Sequence, residues 1–470
     1  MSPFNLTLSS KDDMVEGNNL NSDILKKWRI CTMKLNYKRT ILIGLAFMSI
    51  SAFWQMYDNV IPLILKNSFG LGETVTGTIM AADNVLALFL LPIFGSLSDK
   101  VNTPIGKRMP FILGGTALAL TFLMLIPFAD QSRNLILFVV SLFALLVSMG
   151  LYRSPAVALM PDLTPKPLRS AGNAVINLMG AVGGVYTLIM IKVMVGAGET
   201  PNYYPLFISV GAMMAICVAV LFMTIKEKKL RMEMQQMEEA ETAVERSNGK
   251  KAGLETEKSA KSGSAALPKD VKRSLTFILV SIALWFTAYN AVTTAFSRYA
   301  THVWGLENGG YADCLMVATV AAILSYIPIG ALSGKIGRKK TIQIGIVLLA
   351  SCYAAAGMFN SYHVIMNLFF GLIGFAWAAI NVNSLPMVVE MSNAGDVGKY
   401  TGLYYTFSMS AQVITPILSG FLLEYVSYRT LFPYAVAFSA LAFCTMSMVK
   451  HGDSRPMPKK KMLENFDVED

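Results

Sequence analysis

Long apolar runs, broken by short polar segments, dominate the chain. They lie near residues 40–65, 74–97, 109–128, 134–159, 171–196, 204–225, 273–298, 310–333, 341–358, 362–389, 399–423 and 430–449. An apolar run of roughly 18 or more residues is long enough to cross a bilayer as a helix. A chain in lipid must also satisfy its backbone hydrogen bonds within each segment. The pattern therefore predicts an all-α integral membrane protein with twelve transmembrane helices.

One polar interruption is long. Residues 226–272 begin charged and helix-prone, then become rich in Gly, Ser, Ala and Lys, as in a short surface helix followed by a flexible linker. The chain divides into a leader (1–39), a six-helix half (40–225), the linker (226–272), a second six-helix half (273–450) and a tail (451–470). The halves echo each other. "GSLSDK" at 95–100 recurs as "GALSGK" at 330–335, and "GKR" at 106–108 as "GRK" at 337–339. "WQMYDN" at 54–59 aligns with "FTAYNA" at 286–291, and "ALMPDL" at 158–163 with "PMVVEM" at 386–391. Four matches in order, at offsets of 228–235 residues, predict two pseudo-symmetric halves. Such repeats place a transported substrate at their interface near the bilayer midplane.

Charge sets the orientation. With the N-terminus inside, 34 of the 40 Lys and Arg fall on the cytoplasmic side, Lys66, Arg133, Arg298 and Arg429 outside, and Arg153 and Lys192 within spans. That asymmetry predicts a multi-pass protein of the cell membrane with both termini cytoplasmic. It also accounts for the net charge of +10 without a nucleic-acid partner. Only 15% of residues are charged, against about 25% in a soluble domain, and 54% are hydrophobic. The five cysteines are scattered without metal spacing and the three histidines sit in or near loops. With no nucleophile triad, metal cluster or phosphate loop in the sequence, a transporter is expected rather than an enzyme, without a cofactor.

An ionised side chain at mid-bilayer costs about 2.5–3.5 kcal/mol and by default faces a bundle interior or a water-filled cavity. Asp58 and Asp83 both lie roughly 12–14 Å from the outer ends of the first two spans, at 1.5 Å per residue. At one level on neighbouring helices, they form a site suited to proton uptake and release. The alternative is that each is hydrogen-bonded to Tyr57, Asn59 or Asn84 and only orients helices. Arg153 either binds substrate hydroxyls, pairs with an acid in one conformation, or snorkels. In the repeat, Asp58 aligns with Asn290, Arg153 with Asn381 and Asp83 with Ala318. The expected division of labour is proton coupling by Asp58, Asp83 and Arg153 in the first half and neutral hydrogen bonding in the second.

The loop Gly95-x-x-x-Asp99-Lys100 followed by Gly106-Lys107-Arg108 resembles the signature loop of the major facilitator superfamily. "SDKVNTPIGKRMPFILGG" and "YRSPAVALMPDLTPKPLRSAGNAVINLMG" resemble its sucrose-transporter branch and bacterial relatives, near the glycoside–pentoside–hexuronide carriers. The likeness spans about residues 40–450 without the linker. It implies the major facilitator fold and a symporter for a disaccharide or glycoside. Two positions depart. Leu91 and Ala87 stand where melibiose-type carriers have acids, which makes the proton rather than sodium the expected coupling ion. Val157 follows Pro155-Ala156 where plant sucrose transporters have Arg, and the nearest Arg is Arg153.

The resemblance implies a cytoplasmic gate in which Gly95 lets the second and eleventh spans approach and Asp99 meets a helix N-terminus or an Arg across the halves. Lys107, Arg108 and Arg338 belong to it, and Asp162 with Arg169 and Glu390 with Lys399 form matched acid–base pairs. Sugars bind through aromatic stacking and hydroxyl hydrogen bonds. The candidates are Trp54, Tyr57, Asn84, Tyr152, Asn177, Trp285, Tyr289, Asn290, Trp377, Asn381 and Asn383. Lys192, a turn from the outer end of its span, is expected to snorkel. The function expected is proton-coupled import of a sugar by a monomer in the lipid bilayer, with export of drugs or amphipathic compounds as the alternative.

Overall fold

The computed structural model describes residues 35–165, 168–196, 201–234, 236, 268–306, 309–391 and 397–453. Six long helices precede the linker: α1 (Tyr37–Asn67), α2 (Glu73–Lys100), α3 (Met109–Gln131), α4 (Leu135–Asp162), α5 (Arg169–Met194) and α6 (Tyr204–Thr224). Six follow it: α7 (Lys269–Trp304), α8 (Tyr311–Ile336), α9 (Arg338–Gly357), α10 (Ile365–Val389), α11 (Val397–Tyr425) and α12 (Leu431–Ser447). Eleven described spans are long and apolar enough to cross a membrane, and α8 makes a twelfth if its two arms are one span. Those arms meet at 47° beside Pro328. Proline lacks the N–H that would bond one turn back, and its ring crowds that turn. The expected surface helix begins at residue 227. Most of the leader, linker and tail lies outside the described residues.

We call the two ends of the bundle the linker end, where α6 and α7 meet the linker, and the far end. At the linker end each half solves the same problem. The first N–H groups of any helix lack internal partners. In the first half the Glu227 carboxylate accepts from the N–H groups of Lys107 (2.7 Å), Arg108 (3.0 Å) and Met109 (2.9 Å), capping α3. Gly106 holds φ +128°, and a Cβ there would stand 2.1 Å from the Glu227 carboxylate, so only glycine fits. In the second half Asp453 accepts from the N–H of Lys339 at 2.8 Å and caps α9 beside Gly337, at φ +92°.

The two halves touch closely at the far end. There α2 and α11 pack backbone to backbone: a Cβ on Gly77 would meet the Pro416 carbonyl oxygen at 2.0 Å, and one on Gly420 the Glu73 carbonyl oxygen at 2.4 Å. This corrects the expectation for Gly95. The nearest atom to a Cβ on Gly95 is the Ser154 hydroxyl of α4, so that glycine serves packing within its own half.

Candidate functional site

Asp58, Asp83 and Arg153 converge from three helices of the first half. The Asp58 carboxyl lies within electrostatic range of Asp83, Asp83 within range of Arg153, and Tyr57 within range of both acids. The Arg153 guanidinium sits over the Trp54 ring at 5.7 Å. Trp54 in turn meets Tyr57 edge-on at 5.3 Å. A guanidinium over an aromatic face is attracted by the ring quadrupole. Arg153 therefore points into the cluster rather than out to the membrane surface.

The two acids are held differently. Asp83 accepts from the backbone N–H (2.6 Å) and side-chain amide (2.7 Å) of Asn84. Asn59 turns away from Asp58 and donates to the Gln55 carbonyl at 2.8 Å. The Tyr57 hydroxyl and the Trp54 indole N–H are both buried without a hydrogen-bond partner. Asp58 itself is half-buried. The helix-orienting alternative thus has a partner for Asp83 in Asn84, but none for Asp58 in Tyr57 or Asn59.

The second half presents a neutral counterpart. Tyr289 of α7 and Trp377 of α10 stack face to face, with centroids 3.6 Å apart and planes within 6°. Phe286 meets the Trp377 ring edge-on at 5.3 Å. The Asn290 amide nitrogen is buried without a partner, and Asn381 is half-buried one turn from Trp377 on α10. Asn177 lines a separate cleft of about 210 Å³ between α1, α5 and α8.

Three candidates pack into helix interfaces instead. Tyr152 is fully buried and its hydroxyl bonds Ser49 at 2.5 Å and the Ala46 carbonyl at 3.0 Å, so it ties α4 to α1. Trp285 is fully buried in the apolar core, with its indole N–H unpartnered. Asn383 is 1% exposed and donates to the Ala379 carbonyl of its own helix. The polar groups of Tyr152 and Asn383 are thus closed off, as is common at helix contacts.

The gate residues are also regrouped. Asp99 meets Arg108 of its own half at 2.5 Å rather than a partner across the halves. Arg108, buried, also holds Asp162 at 2.9 Å, the Gly95 carbonyl at 3.3 Å and the Ser98 hydroxyl. In the second half Arg338 pairs with Glu390. The side chains of Arg169 and Lys399 lie outside the described residues, and so do the pairs expected with Asp162 and Glu390. Lys107 contributes its backbone N–H to the Glu227 cap.

Sequence reasoning missed the contacts that join the halves. Glu73 of α2 and Arg298 of α7 form an ion pair at 2.6 Å with both side chains at most 2% exposed. Tyr428 donates to the same carboxylate, and Lys66 stands 3.7 Å from it. Glu424 of α11 accepts from the Thr74 N–H at 2.7 Å and so caps α2 from the other half. Lys192 reaches Asp313 of α8 at 2.7 Å, which replaces the snorkelling expectation. Among the described residues, every ion pair between the halves is at the far end. The available signal was an acid opening one apolar run, Glu73, and an arginine closing another, Arg298, which the charge count placed outside.

A model of the Major Facilitator Superfamily matches residues 43–325 and 305–465. The chain belongs to the major facilitator superfamily. Among superfamily relatives it is similar to a probable nitrate transporter, NarT, of Staphylococcus epidermidis, 24% identical over 42% of this chain and 48% of that one. It is also similar to the sucrose transport protein SUC3 of Arabidopsis thaliana, 25% identical over 34% of this chain and 30% of the other. The chain thus spans less than half the length of these relatives. In fold it resembles the nucleoside transporter NupG, with a TM-score of 0.65, 14% identity, and coverage of 88% of this chain and all of that one. A POT family transporter bound to a thioalcohol-conjugated peptide gives 0.64 at 11% identity, over 88% of this chain and 95% of the other. The chain accordingly has the multi-pass membrane fold of that superfamily.

Proposed function

We propose that the protein is a proton-coupled symporter of a neutral sugar, a disaccharide or glycoside, working by alternating access as a single chain in the cell membrane. The linker end is assigned to the cytoplasm, and the basic residues concentrated there support that orientation. With that orientation, the Glu73–Arg298 and Lys192–Asp313 pairs join the halves on the outer side.

The carrying observation is the cluster of Asp58, Asp83 and Arg153 beside unpartnered Tyr57 and Trp54 groups. One guanidinium cannot neutralise two carboxylates at mid-depth. Asp83 is held by Asn84 and stands near Arg153. Asp58 takes the proton, because the protonated acid removes the excess charge that lipid penalises. The sugar docks on the Tyr289–Trp377 faces with Asn290 and Asn381 supplying hydrogen bonds. Rocking of the halves carries both cargoes inward, where Asp58 releases its proton to the more alkaline side.

The test is uptake of a panel of labelled sugars into proteoliposomes with and without a pH gradient, inside alkaline. Gradient-driven accumulation that disappears in Asp58→Asn while counterflow exchange persists is expected. Accumulation unchanged in Asp58→Asn overturns the coupling assignment, and no sugar uptake by the wild type overturns the substrate class.

A further inference from the structure

The cleft between α1, α5 and α8 lies apart from the charged cluster. Ser51 and Gln55 of α1, one turn apart, form one wall, Asn177 and Gly184 of α5 the second, and Thr319 and Tyr326 of α8 the third. These positions are near the middle of each helix, and the cleft spans both halves. Gln55 precedes Asp58 by three residues, about 4.5 Å of rise along the same helix. Tyr326 ends the first arm of α8, just before the bend.

Three features give the cleft a chemical preference. First, no Asp, Glu, Lys or Arg lines it, and its polar atoms are amides and hydroxyls. An ion would lose water there without a counter-charge, which is costly. Second, among the described residues the Gln55 amide and the Ser51 hydroxyl have no hydrogen-bond partner, so both are available to a ligand. Third, the glycines of α5 have separate duties. A Cβ on Gly183 would strike the Met48 carbonyl oxygen at 2.0 Å and one on Gly180 the Ser51 hydroxyl at 2.8 Å, so both serve the α1–α5 contact. A Cβ on Gly184 would make only an ordinary 3.6 Å contact with Gln55 Oε1. Packing does not require glycine there. The space it leaves belongs to the cleft.

We propose that this cleft is the specificity subsite of the carrier, taking one neutral, hydroxyl-bearing ring between Ser51 and Gln55 on one half and Thr319 and Tyr326 on the other. The proposal rests on the sugar-symport reading above and adds where one ring is recognised. At about 210 Å³ the cleft falls below the roughly 300–1,000 Å³ of sites that hold drug-sized ligands, so it fits one ring rather than two. A ring gripped from both halves links recognition to their movement against each other. A site built to hydrogen-bond hydroxyls rejects analogues that lack them, because its own polar groups are then left unpaired.

The test uses full-length protein in proteoliposomes, with labelled glucose and labelled sucrose as probes. Gln55→Leu is expected to raise KM for the transported sugar about tenfold, with kcat within about twofold, the signature of lost ground-state binding. Gly184→Ala, which packing tolerates, is expected to raise KM for sucrose more than for glucose. Asp58→Asn serves as the contrast, losing gradient-driven accumulation. KM unchanged in both cleft variants, with wild-type uptake intact, overturns the subsite and leaves symport standing. No uptake of either sugar by the wild type overturns both. If Gln55→Leu fails to fold, Gly184→Ala decides alone.

Discussion

Glu227 follows the sixth helix and Asp453 the twelfth, and each caps the third helix of its half beside a glycine with positive φ. In each half an arginine from that loop holds the acid ending the fourth helix: Arg108 with Asp162, Arg338 with Glu390. At mid-depth the halves diverge. The first gathers Asp58, Asp83 and Arg153 around Trp54 and Tyr57. The second stacks Tyr289 on Trp377, and the positions aligned with the three charges are Asn290, Ala318 and Asn381. The difference teaches what duplication constrains. Helix ends leave the same orphan N–H groups in both halves, so the same remedy recurs. A charge at mid-depth costs energy wherever it stands, so it persists only where it does work.

The largest expected effect tests that asymmetry directly. Asp58→Asn makes the first half resemble the second, and accumulation driven by a pH gradient should fall by about tenfold or more, to simple equilibration. Flux measured against internal and external pH checks it. Next comes the seam that joins the halves. Removing one partner of a buried ion pair costs about 3–5 kcal/mol. Glu73→Gln or Arg298→Gln should therefore shift the carrier strongly toward a state open at the far end. Distances between spin labels on the far ends of α2 and α11 should lengthen. The double variant should be less perturbed than the sum of the single ones, because no charge is left stranded. A smaller effect is expected from Asn290→Asp, which gives the second half the charge it lacks. Its cost is about 2.5–3.5 kcal/mol, read as lower yield and lower Tm. Combined with Asp58→Asn it should not restore gradient-driven accumulation, since no Arg153 equivalent stands nearby. Restoration would mean that the halves are interchangeable at this position.

The fold was readable because lipid imposes a simple rule: apolar length gives the spans, and basic loops give an expected orientation. The mid-depth charges were readable for the same reason, since Asp58, Asp83 and Arg153 are conspicuous inside apolar runs. Pairing was not readable. Asp99 and Asp162 were each legible as gate acids, yet which cation they meet depends on how α3 enters the bundle, and Arg108 takes both. Glu73, Arg298 and Lys192 lie near span ends, where a charge next to water costs little and so carries no signal. Their significance comes from the close approach of α2 to α11 and α5 to α8, which no single helix encodes. Tyr152, Trp285 and Asn383 share the residue types of a sugar site but sit on the faces that pack, and periodicity in an all-apolar helix is too weak to tell the faces apart.

The smallest predicted effect probes the feature the halves share. Glu227 closes three backbone N–H groups and Asp453 one. Loss of a helix cap costs about 0.5–2 kcal/mol. Glu227→Ala should fall near the top of that range and Asp453→Ala near the bottom, measured as the fall in Tm of the purified carrier. Glu227→Ala should also weaken the Arg108 bridge to Asp99 and Asp162, because the cap fixes the backbone from which that guanidinium reaches. Its Tm deficit should therefore shrink when measured in an Arg108→Lys background, where the bidentate reach is already lost. Equal deficits for the two acids would mean that the caps stabilise helix ends only. A larger deficit that depends on Arg108 would tie the start of the linker to the gate of the first half, with no counterpart in the second.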